Sequence, residues 1–198
     1  MRVNEFNRDW VQVMRVSREQ AEKNRQAVLE TAAQLFRQRG VDGVGVADLM
    51  KAAGLTHGGF YGQFKSKEDL VTQATTQALR ENEDNRQRAL KSTDNPWEAI
   101  KQSYLSPLHR RHPEAGCAFT TLAVEGSRRG EPLQSVLTSG LEHFLKDLEP
   151  IVPRKRGKTR REQSITALSA MVGAMVLARA VDDDALATEI LDTVKDGL

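Results

Sequence analysis

The chain has 198 residues, room for one large domain or two small ones, and with 39% hydrophobic and 28% charged residues it can bury a core and is expected to be soluble. No apolar run reaches the roughly 20 residues needed to span a bilayer; the longest, residues 165–178, has 14 and contains Thr166 and Ser169. The single cysteine, Cys117, cannot form an intrachain disulfide and fits a reducing cytosol, and no basic stretch followed by an apolar one opens the chain, so export is not expected.

The net charge of +2 lies entirely in residues 1–70, which hold 11 Lys and Arg against 9 Asp and Glu. That is the direction a phosphate-facing surface requires, although two charges also fall within ordinary fluctuation. Residues 1–13 show no clear period and are expected to be frayed. Ser17-Arg18-Glu19-Gln20 has the form of a capping box, predicting a helix from there to about Arg39 with Val28, Leu29, Ala32, Ala33, Leu35 and Phe36 on one face. Arg37 and Arg39 suit its negative end, and Gly40 stops it.

Residues 46–64 are the stretch that the rest is organised around. Val46, Leu49, Met50 and Ala53 make one helical face, Gly54 ends it, and Thr56 stands where an N-cap is wanted. A short helix over residues 57–63 follows. It is too short to be stable alone, so Phe60 and Phe64 must anchor it, leaving His57, Gly58, Gly59, Tyr61 and Gln63 as a small, polar front. An anchored back with such a front suits insertion into the DNA major groove. Ser66-Lys67-Glu68-Asp69 then opens a long helix to about Lys91, read as the connector between two domains, residues 1–70 and 71–198.

Pro96 predicts the first position of the next helix, which ends near Pro107. Residues 106–116 read as a loop, with His109 and His112 solvated rather than metal-binding. Helices over 117–128 and 132–148 follow, then a loop at Pro150 and Pro153 whose residues 154–161 hold six basic residues in eight positions and read as a solvated surface. Two last helices, about 160–181 and 184–195, complete an all-α fold of about nine helices; the first is rich in Ala, Gly and Ser, which permits close helix approach.

Gly40, Asp48-Leu49, Ala53-Gly54-Leu55-Thr56, Gly58, Phe60-Tyr61, Phe64 and Lys65-Ser66-Lys67-Glu68-Asp69-Leu70 together carry a family resemblance. Residues 24–70 resemble the DNA-binding domain of the TetR family of bacterial transcriptional regulators. The remainder of the chain is similar to that family in architecture only. The resemblance implies a homodimer on a palindromic double-stranded operator, and a small-molecule effector bound in the C-terminal domain. By position it implies that Tyr61 and Lys67 contact phosphates, that Thr56, His57 and Gly59 lie at or near base edges, and that Gly58 lets the backbone approach. Asn24 and Arg25 would reach the backbone from the first helix. Gly45 departs from the Ser or Thr usual there, and Gln63 from the usual His, though Gln63 can still donate to phosphate.

For the effector site, Trp97, Tyr104, Cys117, Phe119, Phe144 and Met175 are candidates, although residues of these types are more often plain core. Cys117 is either a small buried residue or, as in a subset of the family with a Gly-Cys pair at this position, a thiol that senses oxidants or electrophiles. The last two helices are expected to form a four-helix dimer interface through Ala167, Ala170, Met171, Ala174 and Leu191. No catalytic constellation, cofactor motif, metal site or membrane association is expected. A protein without any effector is the remaining alternative.

Overall fold

The computed structural model describes the backbone of residues 3–198 and the side chains from residue 17 onward. Among the described residues nine α-helices follow in chain order: α1 (Val3–Arg39), α2 (Val46–Ala52), α3 (Lys67–Lys91), α4 (Pro96–Tyr104), α5 (Pro107–Arg111), α6 (Phe119–Arg129), α7 (Glu131–Leu148), α8 (Arg160–Ala180) and α9 (Asp184–Gly197). Short 3₁₀ turns lie at His57–Gly59 and Pro113–Ala115, and no strand occurs among the described residues.

The ends of the helices follow their local chemistry. Gly40 and Gly54 have φ of +70° and +74°, the left-handed conformation that closes a helix without a Cβ clash. The Ser66 hydroxyl accepts from the Asp69 N–H at 3.0 Å and opens α3. Asn95 caps α4 ahead of Pro96. Thr159 and Glu162 form a reciprocal capping box at α8, and Asp183 accepts from two backbone N–H groups at α9.

Two expectations fail at helix starts. Ser17 lies inside α1, which begins at Val3 instead of at the Ser17 capping box, so residues 3–13 are helical rather than frayed. Without Gly or Pro between them, nothing interrupts the helix. Residues 106–116 are not a loop: Ser106 caps α5, and a 3₁₀ turn follows it. Pro107 begins a helix there instead of ending one, which is the position where its missing N–H costs nothing.

Two apolar cores stack along α3. The first gathers Val28, Ala32, Phe36, Leu49, Met50, Phe60 and Phe64 around Leu70, Val71, Ala74 and Ala78, and takes in Ala118, Leu122, Leu133 and Leu137 from the α6–α7 region. The second holds Trp97, Tyr104, Leu105, Phe144, Leu148, Met171, Met175 and Leu191. Polar ties join the end of α1 and the segment after it to α3 and α6. The nearly buried Arg37 pairs with Glu81 at 2.8 Å, and Thr121 donates to the Arg37 carbonyl at 2.9 Å. Arg129 at the end of α6 meets Asp42 and Glu125 and lies 3.6 Å from Glu68.

By length and composition alone α8 could cross a membrane, contrary to the expectation from its apolar run, yet Ala167, Leu168, Met171, Ala174, Met175 and Ala178 pack into the second core. The same packing takes up most of the residues expected at a dimer interface. Ala167, Met171, Ala174 and Leu191 are buried within one chain, and Ala170 is half-buried. The exposed apolar side chains of α8 are Ile165, Val176 and Leu177. Ala167, Ala174 and Ala178 pack inside the chain, where α8 meets α9, α6 and α7, whereas Ser169 is exposed and a Cβ added at Gly173 would meet nothing within 4 Å.

Candidate nucleic-acid interface and cavity

The predicted helix over 57–63 is a 3₁₀ turn, His57–Gly59, that runs into one αR residue and further turns. Phe60 N–H donates to the His57 carbonyl at 3.1 Å, and Phe64 N–H to the Phe60 carbonyl at 3.0 Å. Three glycines, Gly58, Gly59 and Gly62, explain the departure: each weakens regular helix by roughly 1 kcal/mol relative to Ala, and short hydrogen-bonded turns of 3₁₀ type are what remains. Thr56 has the extended backbone of an N-cap but its side chain makes no cap hydrogen bond, a second correction.

Phe60 and Phe64 do anchor this segment, with ring centroids 5.6 Å apart in the first core. The opposite face is open. Tyr61 is 71% exposed and packs edge-on against Phe60 and His57. A Cβ added at Gly58 would meet nothing within 4 Å, while one at Gly59 would lie in ordinary contact with Met50. Thr56 and His57 are exposed. Lys67 is half-buried at the first position of α3, where the helix dipole is positive. Asp69, in the same turn, accepts from the Lys65 N–H and from Gln73, and these bonds hold its carboxyl below the ordinary range.

The outlying residues are less free than expected. Arg25 donates to Gln73 and lies 5.1 Å from the Phe64 ring centroid, so it braces the turn from behind. Asn24 accepts from Gln20 at 2.9 Å. Gln63 is half-buried with its Oε1 covered and without a hydrogen bond. At the far end of the chain, Arg161 of the basic stretch pairs with Glu142 at 2.6 Å and with Glu149 at 3.3 Å.

Between the cores, α3, α4, α5 and α7 enclose a cavity of about 370 Å³ lined by Tyr104, Cys117 and Phe144, with a second of about 230 Å³ behind it lined by Cys117, Phe119 and Phe144. Asn82 and Arg86 of α3 belong to both walls. Four of the six candidate effector residues are therefore brought together. Trp97 instead borders a separate space of about 100 Å³, and Met175 is fully buried in the second core away from these cavities.

The wall also holds residues that the sequence did not single out. Arg86 is buried because Asp147 of α7 meets its Nε at 2.6 Å, and its guanidinium lies 4.1 Å from the Phe144 ring centroid. In sequence it sits in a run of charges within the connecting helix, and its partner is 61 residues away. His109 is likewise not solvated. The Cys117 N–H donates to its Nε2 at 3.0 Å, so the other nitrogen, Nδ1, carries the proton and donates to the Tyr104 carbonyl at 2.7 Å. Burial, reinforced by nearby Arg179 and opposed by the Tyr104 carbonyl, lowers its pKa to about 4. Burial also pushes the Cys117 thiol up, although it neighbours the start of α6, and pushes the Tyr104 hydroxyl well up.

Residues 28–74 match the family model for bacterial regulatory proteins of the tetR family. The HTH-type transcriptional regulator AcrR of Shigella flexneri is 39% identical over 59 residues, 30% of this chain and 27% of AcrR, so the matched stretch spans about a quarter of that protein's length. The reduced form of Escherichia coli NemR has the same fold, with TM-score 0.74, 22% identity, and coverage of 88% of this chain and 95% of the other. AibR, solved with isovaleryl coenzyme A and operator DNA, superposes with TM-score 0.62 at 17% identity over 88% of this chain and 97% of its own.

Proposed function

We propose that this chain, whose N-terminal residues match the tetR family model and the regulator AcrR, is a TetR-family transcriptional repressor of the cytoplasm, not an enzyme, which grips a palindromic operator as a homodimer and is released by a small-molecule effector. The observation that carries the reading is the glycine-thinned turn at residues 57–63, fastened from behind by Phe60 and Phe64 and open in front. A twofold pair of such turns placed about 34 Å apart would enter successive major grooves. Tyr61 and Lys67 are assigned to phosphates, and Thr56, His57 and Gly59 to base edges.

The cavity beneath α3 is the effector site in this reading. α3 starts beside the DNA-facing turn and continues into the cavity wall, so a ligand that tilts it changes the separation of the paired turns. The effector acts only to the extent that it binds the two arrangements differently. Switching through Cys117 alone is disfavoured, since its thiol is buried and held away from the thiolate form.

Selection of bound sequences from random duplex DNA with the purified protein should return a palindrome. A non-palindromic or random pool would sink the reading. Lys67→Ala should weaken binding to the selected site at every sequence and lower the slope of log affinity against log salt by about two, one for each copy in the dimer.

A further inference from the structure

The polar groups on the wall of the 370 Å³ cavity are almost all spent inside the protein. Arg86, its buried cation, is neutralised by Asp147, whose other oxygen accepts from Gln87 at 2.7 Å. Asn82 donates to the Gly116 carbonyl at 3.0 Å and accepts from the Ala118 N–H at 2.8 Å. Both nitrogens of His109 are occupied, and the Ser106 hydroxyl donates to the Ser103 carbonyl. The exception among the buried wall groups is Tyr104, 8% exposed, whose hydroxyl makes no hydrogen bond of ordinary geometry; the Cys117 thiol, a weak partner, and the Arg179 guanidinium are the groups that bear on it. A buried donor left in this state favours any ligand that supplies an acceptor.

Resting on the effector reading above, we propose that this cavity takes a small, uncharged, ring-containing molecule carrying one hydrogen-bond acceptor, such as a carbonyl oxygen, which receives the Tyr104 hydroxyl. Phe144 and the Tyr104 ring, 6.4 Å apart by centroid, supply the apolar faces. Tyr104 and Cys117 both line the cavity and the hydroxyl oxygen itself is covered, so in this proposal the ligand reaches it once the Cys117 side chain turns aside. A carboxylate or phosphoanhydride ligand is rejected because the one buried cation is already paired, and taking it would strand Asp147. This cavity thus differs in charge selectivity from one built for an acyl coenzyme A.

Calorimetric titration of the full chain without DNA separates this claim from operator binding. Three probes of matched shape serve: 1-tetralone, uncharged with a carbonyl; tetralin, its hydrocarbon counterpart; and 1-naphthoate, an anion. Tetralone should bind about tenfold tighter than either of the others. Tyr104→Phe, which keeps the ring and its packing, should bring tetralone down to the level of tetralin and leave tetralin unchanged. Asp147→Asn should free the Arg86 charge and raise naphthoate affinity several-fold. Tightest binding of naphthoate to the natural chain, an unchanged tetralone preference in Tyr104→Phe, or no binding of any probe at millimolar concentration overturns the proposal. A palindrome recovered from random DNA alongside any of these results leaves the repressor reading standing, and tetralone binding without operator binding does the reverse.

Discussion

At the scale of single residues, His109 is the position with the clearest consequence. Its Nε2 accepts from the Cys117 N–H, so a proton added there would face a donor instead of an acceptor. The folded pKa of about 4 lies below the ordinary 6.5. The unfolded chain therefore binds the extra proton first as pH falls. The stability that His109 contributes is complete above about pH 6.5 and is lost progressively towards pH 4. Between pH 7 and pH 5 the loss should be at most about 2 kcal/mol, from a slope of about 1.4 kcal/mol per pH unit. Urea denaturation at the two pH values should show it, and His109→Asn should flatten the dependence. An equal pH dependence in the variant would mean that another group dominates. Neither the buried state of His109 nor that of Arg86 was legible in the sequence, because each depends on a partner that only folding brings near. Tyr61 was legible: an aromatic ring beside two anchoring phenylalanines has to point the other way.

At the scale of elements, the sequence spoke clearly where a helix end depends on one or two adjacent residues. Gly40, Gly54, Ser66 and Pro96 stand where their chemistry predicts. It misled where two signals compete. Ser17 has the pattern of a cap, but a chain without breakers on either side simply runs through it. Pro107 can end one helix or begin another, and the hydroxyl of Ser106 one residue earlier decides for the second. The 57–59 turn was placed correctly and its conformation was not, since the same glycines that leave its face bare also deny it a regular helix. Gly58→Ala tests that trade directly. The added methyl meets no protein atom, so stability should be unchanged or higher by up to about 1 kcal/mol. Operator affinity, measured by anisotropy on the selected duplex, should fall about tenfold. An unaltered affinity would remove the close approach assigned to this backbone.

At the scale of the whole molecule, the fold class and the helix count were readable, and the division of labour between the faces of α8 was not. Periodicity reports which residues are apolar without saying whether the neighbour belongs to the same chain. With Met171 and Ala174 committed to the internal core, the large apolar side chains of α8 left exposed for a second copy are Ile165, Val176 and Leu177. Val176→Arg should therefore yield a folded monomer by sedimentation, with the helical signal retained, whereas Met171→Arg should lose the fold. A Val176→Arg protein that stays dimeric would place the interface elsewhere.

The first core has a further consequence for anyone who recombines such proteins. Leu70 and Val71 on α3 and Leu122 and Leu133 beyond it belong to the same cluster as Phe36 and Phe64, and Arg129 reaches back to Asp42 and towards Glu68. A chimera cut at residue 70 and grafted onto a foreign effector half would expose half of that cluster and leave Asp42 and Glu68 without Arg129. The workable seam is not a point on the chain but a surface: the donor head must travel with the α6 and α7 residues that cover it.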